Sequence, residues 1–352
     1  MRVRVDRLDE ADAAEWQAYV RRSDSATLFH DLRWSAAVHG CFRHRPMHLV
    51  AREGGEIRGI LPLFEVRSVF VGRVLVSVPY GVYGGIAADS EAVASALLDA
   101  CRWWAERLGV NYVELRHLDT NRLGLAVNER YVTFIKALPA SAAECLAALP
   151  RKARAAARHA INRYRLRAEF HPRLLSAVHD LYARTVRRLG SPVYPRRFFE
   201  VLAERFGSQC VCQAVFHEDV MVAGLLSFVF KDRMMPYYSG SLEPYRHTNA
   251  NNFLYLKAME YGVEHGCRTF DFGRTRRENV GPYQFKKNQG FEPQLLPYQV
   301  LVTNGRAALE AARAVPRLDP GEQRFSVAQQ VWRRLPLPVT KWVGAVVTRS
   351  IP

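Results

Sequence analysis

The chain has 352 residues, enough for two domains at roughly 150 residues each, and its 49% of hydrophobic residues excludes a disordered chain. The formal net charge of +16 indicates a polyanionic partner: a nucleic acid, a nucleotide diphosphate or an anionic membrane surface. An arginine-rich surface without such a partner is the alternative. The six cysteines form no C-x-x-C pair, and "MRVRVDRLDE" lacks the apolar core of a signal peptide, so a reduced, cytoplasmic protein is predicted.

The first part of the chain predicts two short helices followed by strands. Glu10–Arg22 and Asp31–Cys41 have helical patterns, and "MHLVAR", "EGGE" and "IRGILPLFEV" predict a hairpin. The apolar segment Val69–Ala88 contains one charged residue, one proline and four glycines, so it predicts buried strands and turns rather than a transmembrane helix. An amphipathic helix over Ser90–Leu108 precedes the strand "VNYVELRH".

The same order of elements returns in the second half. "CQAVF", "HED" and "VMVAGLLSFVF" predict a second hairpin, followed by the strand "MMPYYSGS", a helix over Asn249–His265 and the strand "CRTFDFGR". One offset of 157 residues pairs Pro79 with Pro236 and Gly109 with Gly266. We therefore predict an α/β (α+β) fold made of two copies of one unit by internal duplication. The alternative is that two unrelated hairpin–helix–strand units look alike.

A basic helix separates the two copies. Leu149–Arg167 carries seven lysines and arginines from residue 151 onwards and no acid, with Arg151, Arg154, Arg158 and Arg165 predicted on one face. Like charges at this spacing destabilise a helix, so a phosphate-bearing ligand is expected there, with a solvated linker as the alternative. The predicted boundaries are 1–148, 149–167 for the helix, 168–305 and a basic tail over 306–352. The tail either lies on an anionic membrane, as its Trp332 and Trp342 among cations suggest, or packs on the protein.

Several common site motifs are absent from the sequence. It contains no G-x-G-x-x-G after a strand, no G-x-x-x-x-G-K-[ST], no G-x-S-x-G and no H-E-x-x-H. We therefore predict no metal site and no tightly bound cofactor.

The strongest chemical signal is "TFDFGRTRRENVGPYQFKKNQGFEP", Thr269–Pro293, where a strand runs into a basic, glycine-containing loop. Asp271 ends the strand, and Lys286 is predicted to point from a helical turn into a cleft. A lysine suits acyl transfer because it can stabilise the negative charge that develops on oxygen. Arg274 and Lys287, together with Arg276 and Arg277, are the candidate phosphate ligands. The first copy has no comparable charge after its last strand, so one site is predicted.

These segments resemble the FemABX group of transferases, and most closely the FemAB-related proteins of exosortase (PEP-CTERM) and exopolysaccharide loci. The resemblance rests on "TLFHDLRW", "REGGEIRGILPLFEVRS", "LVSVPYGVYGGI", "LPRKARAAARHAINR", "TVRRLGSPVYPRRFF", "FDFGR", "GPYQFKKNQGFEP" and "RRLPLPVTKWVG", and covers nearly the whole chain. It implies two tandem GNAT-like acyltransferase domains. Gln289 stands where the group usually has an aromatic residue, and the pyrophosphate loop [QR]-x-x-G-x-[GA] of acetyl-CoA-dependent GNAT enzymes is not evident in either copy.

The resemblance also implies where the site lies. It places Phe285 and Lys286 at the reaction centre, and Asp271 is our second catalytic candidate. The residues predicted to bind substrate are Phe285, Tyr283, Arg274, Lys287, Tyr237, Tyr238, Lys152, Arg154, Arg158, Trp34 and Tyr83.

The predicted function is transfer of an acyl or aminoacyl group onto an amine of a cell-envelope precursor, in peptidoglycan or exopolysaccharide synthesis. The donor would be aminoacyl-tRNA or acyl-CoA, and the acceptor a nucleotide- or lipid-linked glycan or peptide. The alternatives are an acyl-CoA-dependent N- or O-acetyltransferase of a polysaccharide precursor, and a non-catalytic module that binds a polyanion or a membrane. Peripheral contact with the inner membrane and the oligomeric state are left open.

Overall fold

The chain forms two structural units and crosses between them more than once. The computed structural model describes residues 3–70, 72–118, 123–303 and 326–351. Of these, the first unit takes the chain up to Tyr131 together with 295–303 and 346–351. The second unit takes 132–294 and 326–345.

Strands and helices are interspersed along the chain. The strands are β1 (Arg4–Arg7), β2 (Arg45–Pro46), β3 (Leu49–Glu53), β4 (Glu56–Leu61), β5 (Phe64–Ser68), β6 (Gly72–Ser77), β7 (Ala87–Ala88), β8 (Tyr112–Arg116), β9 (Ala126–Asn128), β10 (Tyr131–Ala137), β11 (Arg167–Phe170), β12 (Cys210–His217), β13 (Val220–Phe230), β14 (Arg233–Ser241), β15 (Thr269–Asp271), β16 (Thr275–Arg276), β17 (Pro293–Leu295) and β18 (Tyr298–Val302). The helices are α1 (Ala13–Arg22), α2 (Leu32–Phe42), α3 (Glu91–Leu108), α4 (Ala142–Ala148), α5 (Arg151–Asn162), α6 (Leu175–Leu189), α7 (Arg196–Phe206), α8 (Ala250–Glu264), α9 (Val280–Asn288), α10 (Ser326–Arg334) and α11 (Leu337–Thr348).

Local capping explains why the predicted helices form where they do. The Ser90 hydroxyl accepts a hydrogen bond from the Val93 N–H at 3.3 Å at the start of α3. Gly109 ends the same helix in the left-handed region, with φ of 62°. The Asp31 carboxylate caps α2 in the same way, accepting from the Arg33 N–H at 2.8 Å. The predicted helices over 90–108 and 249–265 are confirmed to within a residue or two at their ends.

The first unit contains two sheets. A four-stranded sheet has the order β1-β3-β4-β7 and a six-stranded sheet the order β2-β5-β6-β8-β18-β9. The helix α3 buries Val93, Leu97 and Cys101 against these strands. It approaches β4 closely, since a Cβ on Gly59 would lie 2.5 Å from the Val93 side chain.

The second unit is built on one eight-stranded sheet. Its order is β11-β12-β13-β14-β15-β10-β16, with β17 also paired to β10. The parallel pair β14–β15 is joined at Arg233↔Thr269 and Met234↔Phe270, whereas β14 continues to Ser241. The two strands therefore separate after these two pairs, and the carboxyl end of β15 lies beside the gap between them.

Both units contain the same parallel crossover, as the duplication predicts. In the first, β6 and β8 are parallel and α3 connects them. In the second, β14 and β15 are parallel and α8 connects them. In each unit the second strand of the crossover also pairs with an antiparallel strand. This strand is β18 beside β8 in the first unit and β10 beside β15 in the second.

Two strands pair outside the domain ranges expected from the sequence. We assigned 1–148 to the first domain, but β10 lies within the second unit's sheet. We assigned 168–305 to the second domain, but β18 lies between β8 and β9. The units are thus not two consecutive stretches of chain, because each sheet is completed by a strand from the other half of the sequence.

The basic helix is shorter than predicted. It runs from Arg151 to Asn162, so the expected helical face keeps Arg151, Arg154 and Arg158, while Arg165 lies beyond it with φ of 48°. The predicted tail begins outside the described residues and continues in α10 and α11. Among the helices of the described residues, none has the length and hydropathy needed to span a membrane.

Candidate functional site

Lys286 lies in α9 with its amine turned back onto the chain that follows β15. Its Nζ donates hydrogen bonds to the carbonyl oxygen of Phe272 at 2.9 Å, the carbonyl oxygen of Gly273 at 3.1 Å and the hydroxyl of Thr275 at 2.7 Å. These bonds take up all three N–H donors of an ammonium group. The sequence predicts a lysine pointing into a cleft, whereas here the amine is held by acceptors of its own unit.

The surroundings of Lys286 change its acidity. Burial lowers the pKa of Lys286 from its ordinary 10.5 to about 7, and the negative charge of Asp271 opposes this shift. The amine lies 5.4 Å from the ring centre of Phe134 and 5.6 Å from that of Phe272. Near neutral pH this group can therefore gain or lose a proton, which suits a residue that holds charge or moves a proton during a reaction.

Asp271 is fully buried at the end of β15 and is bonded on both oxygens. Its Oδ2 accepts from Nη1 of Arg233 at 3.0 Å, and its Oδ1 accepts from the Gly273 N–H at 2.8 Å and the Thr133 hydroxyl at 3.4 Å. A base for an acceptor amine needs a carboxylate oxygen within reach of the substrate. This geometry does not favour the role in which Asp271 contacts the acceptor; it makes Asp271 an enclosed anion beside Lys286.

Aromatic side chains hold α9 against the core of the second unit. Tyr283 meets the ring of Phe134 edge-on at 5.4 Å, and Phe285 lies 5.5 Å from the ring of Tyr255. Both predicted substrate-binding residues are partly buried and pack against the hydrophobic core. Their contacts position Lys286, which is one residue further along the helix.

The remaining predicted residues of this region differ in exposure. Arg274 and Lys287 are exposed. Arg274 lies in the loop after β15, and Lys287 follows Lys286 in α9. Tyr237 is half-buried on β14. Tyr238 is 5% exposed, so its predicted place on a substrate surface is not supported. The rings around it are those of Tyr182, Tyr194, Phe199 and Tyr237.

The helix α5 presents a basic face. Ala153, Ala157 and Ala160 are buried on its inner side. Lys152 and Arg158 are exposed, and Arg154 is partly buried with its guanidinium donating to the Ala147 carbonyl at 3.1 Å. Arg151, Arg154, Arg158, His159, Asn162 and Arg163 line a surface groove, which gives a ligand phosphate several donors.

Trp34 and Tyr83 belong to the first unit and are core residues. Trp34 is 0% exposed, donates from Nε1 to the Pro79 carbonyl at 3.4 Å, and packs edge-on against Phe29 at 4.8 Å. This position does not support the predicted substrate-binding role of Trp34, because its ring fills the core. Tyr83 is 1% exposed, yet it lines a cavity of the first unit.

That cavity has a volume of about 390 Å³ and is lined by His30 and His117, neither of which was predicted to be a site residue. The Ile86 N–H donates to Nε2 of His117 at 3.0 Å, which leaves the ring proton on Nδ1. Nδ1 is buried and has no hydrogen-bond partner among the described residues. Burial lowers the pKa of His117 to about 3, so the ring is neutral. His30 is held in place, with Nε2 at 2.8 Å from the Gly85 carbonyl.

Three further residues of the Lys286 surroundings were missed. Thr275 lies inside the segment Thr269–Pro293. Its hydroxyl, two residues after Gly273, could have been recognised from the sequence as a hydrogen-bond partner for Lys286. Thr133 and Arg233 had no local signal, because their contacts with Asp271 span 138 and 38 residues of sequence. Among the described residues, no group of three or more histidines, cysteines or acids is placed to hold a metal ion.

Residues 143–287 match the family model described as an acetyltransferase (GNAT) domain. The matched range ends just after Lys286. No curated protein matches the chain.

Solved structures show that most of the chain has the tandem GNAT fold. FemX is 16% identical over 85% of this chain and 97% of its own, with a TM-score of 0.66. A tandem GNAT protein from the clavulanic acid biosynthesis pathway is 12% identical over 87% and 100%, with a TM-score of 0.55. The C-terminal domain of a putative lysylphosphatidylglycerol synthetase from Agrobacterium fabrum is 13% identical over 89% and 98%, with a TM-score of 0.57. At these identities the likeness concerns the fold.

Proposed function

We propose that this tandem GNAT protein is an acyl- or aminoacyltransferase that modifies an amine of a cell-envelope or exopolysaccharide precursor, with Lys286 at its reaction centre. The observation that carries the proposal is the lysine itself. Its amine, with the pKa lowered to about 7, lies at the carboxyl end of a parallel strand where two strands part, inside a GNAT-type domain. Perturbed titrating groups at such positions are typical of catalytic sites.

In the proposed reaction the acceptor amine attacks the acyl carbon and forms the new C–N bond. The bond from that carbon to the leaving sulfur of coenzyme A, or to the leaving ribose oxygen of tRNA, then breaks. The proton lost by the amine nitrogen passes to the leaving group. Protonated Lys286 would stabilise the negative oxygen of the tetrahedral intermediate. To do so it exchanges one of its three bonds, to Phe272, Gly273 or Thr275, for a bond to the substrate oxygen.

Asp271 takes a different part in this proposal from the one the sequence suggested. Its carboxylate is enclosed, and its charge favours the protonated form of Lys286. We assign it as a positioning residue that keeps the lysine partly charged in apolar surroundings. Arg233 holds this carboxylate in place through the 3.0 Å ion pair.

Phosphates of the donor would be held by the exposed Arg274 and Lys287 or by the basic face of α5. The GNAT domain match favours acyl-CoA as donor. The lack of a recognisable pyrophosphate loop argues against acetyl-CoA and so favours aminoacyl-tRNA. Both donors stay within the proposal, and no tightly bound cofactor is part of it.

The test is transfer from each donor, measured separately with acetyl-CoA and with charged tRNA, for the parent protein and Lys286→Ala. We expect transfer to fall by at least about 100-fold, the scale of losing one oxyanion donor. Lys231→Ala is the matched control, since Lys231 is an exposed lysine in the turn between β13 and β14. Activity within threefold of the parent in Lys286→Ala removes Lys286 from the mechanism.

A second function is favoured by one observation, the basic groove on α5. In this function the protein binds a phosphate-rich glycan carrier without catalysis. Binding would then weaken with salt and fail in Arg151→Gln/Arg158→Gln, while Lys286→Ala binds normally. Measurable transfer from either donor contradicts it.

A further inference from the structure

Two apolar residues protrude from a hairpin turn of the first unit. Val69 is 84% exposed and Phe70 is 50% exposed, just after β5 and before β6 begins at residue 72. Large apolar side chains on a turn are costly in water unless something covers them. The hairpin is anchored beneath them: the Ser68 hydroxyl accepts from the Phe70 N–H at 3.1 Å and donates to the Ser350 carbonyl at 2.7 Å.

The bond to Ser350 brings the end of α11 to the same place. Val346, in the last turn of that helix, is 64% exposed. The end of the helix is anchored, since the backbone carbonyl of Thr348 accepts a hydrogen bond from the buried Tyr80 hydroxyl at 3.1 Å. The last turn of the helix, which carries Val346, is thus held on the first unit.

Cations surround these apolar side chains. Arg67, two residues before Val69, has 78% of its side chain exposed, and Arg349 is exposed one turn after Val346. The nearest acid on the hairpin, Glu65, is buried and shared between three arginines, Arg45, Arg67 and Arg73. The charge around the patch is therefore positive.

We propose that the Val69–Phe70 turn and the last turn of α11 dock on the surface of an anionic lipid bilayer. The apolar side chains would enter the boundary between headgroups and acyl chains, and Arg67 and Arg349 would contact lipid phosphates. Apolar side chains flanked by arginines are the composition that such interfaces bind. A bilayer is the occupant that the positive charge favours over a second copy of this chain, because two copies would bring like charges together. The docking is peripheral, and it does not depend on the proposed transfer reaction.

The experiment is flotation of the full chain with vesicles of equal parts phosphatidylglycerol and phosphatidylcholine, and with vesicles of phosphatidylcholine alone. We expect binding to the anionic vesicles, reduced by raised salt and weak on the neutral ones. Val69→Ser/Phe70→Ser should reduce the partition by about tenfold or more, because the apolar area that enters the lipid is lost. Arg349→Gln should weaken binding to the anionic vesicles alone. Val220→Ser, at another hairpin turn and 39% exposed, is the matched control and should bind like the parent.

Each variant is first compared with the parent by circular dichroism and thermal unfolding, so that loss of folding is not counted as loss of binding. The proposal is overturned if the parent does not float with anionic vesicles, or if Val69→Ser/Phe70→Ser floats as well as the parent. It is also overturned if the parent self-associates through this patch without vesicle binding, seen as a dimer in sedimentation that the double variant lacks. Lys286→Ala should still float, which separates this result from failure of the proposed reaction.

Discussion

Arg233 and Asp271 form an ion pair of 3.0 Å in which the carboxylate is fully buried and the guanidinium is 28% exposed. The pair joins the start of β14 to the end of β15, the two strands that part at the candidate site. Since Lys286 lies beside this carboxylate, the pair controls how much negative charge the lysine experiences.

Removing the arginine leaves a buried carboxylate with one charge partner fewer. We expect Arg233→Met to lower the free energy of unfolding by about 2 to 3 kcal/mol, since breaking one side of a buried pair is costly. Urea unfolding measures this. Arg268→Met is the matched control, because the Arg268–Asp232 pair is largely exposed and should change stability by less than about 1 kcal/mol. Equal losses of stability in the two variants would contradict the view that the Arg233–Asp271 pair stabilises the fold more than an exposed pair does.

The lowered pKa of Lys286 predicts a pH dependence with a definite sign. The amine is protonated below about pH 7 and neutral above it. If the protonated form stabilises the developing oxyanion, the transfer rate falls as the pH rises through about 7. Arginine stays protonated over this range, so in Lys286→Arg this descending limb should disappear from the pH profile of whatever activity remains. A rate that instead rises through pH 7 in the parent, and loses that rise in Lys286→Arg, would make neutral Lys286 a base.

Gln289 is a buried amide whose bonding is incomplete. It is 1% exposed, and neither its Oε1 nor its Nε2 has a hydrogen-bond partner among the described residues. We expect Gln289→Leu to raise the free energy of unfolding by about 1 kcal/mol. Burying an amide without hydrogen bonds is unfavourable, and a leucine of similar shape has no polar group to bury. Gln213→Leu is the comparison: the Gln213 amide donates to the Leu254 carbonyl at 3.0 Å, so that variant should lose stability. Destabilisation of both variants to the same extent would count against this account.

Two glycines of the second unit should respond oppositely to alanine. A Cβ on Gly240 would lie 2.3 Å from the backbone of Leu181, so β14 and α6 would have to move apart. We expect Gly240→Ala to cost about 3 kcal/mol or more. Gly281 has no atom within 4 Å of its would-be Cβ and lies in α9, so Gly281→Ala should be neutral or stabilise by up to about 1 kcal/mol. Thermal unfolding of both variants decides this. A loss of stability in Gly281→Ala would show that this glycine is needed by the fold.

The sequence predicted most of the local structure and part of the candidate site. Helices with clear caps, such as α3 between Ser90 and Gly109, were recognisable because their signals lie within a few residues. Lys286 was found because charge, glycines and aromatic residues are concentrated around it in one segment. Trp34 and Tyr238 were assigned to substrate surfaces, and both are buried. A local pattern cannot tell an aromatic residue that lines a surface from one that fills a core.

The sequence by itself determined the positions of helices and strands, the duplication that runs through them, and the concentration of cations at α5 and around α9. These depend on periodicity, caps and composition, which are properties of neighbouring residues. Only the tertiary structure decided that β10 completes the second sheet and β18 the first, since strand pairing joins residues far apart in the chain. The same holds for the chemistry of Lys286. Its lowered pKa arises from burial and from Asp271, fifteen residues earlier, and only folding brings that carboxylate and its partner Arg233 to the lysine.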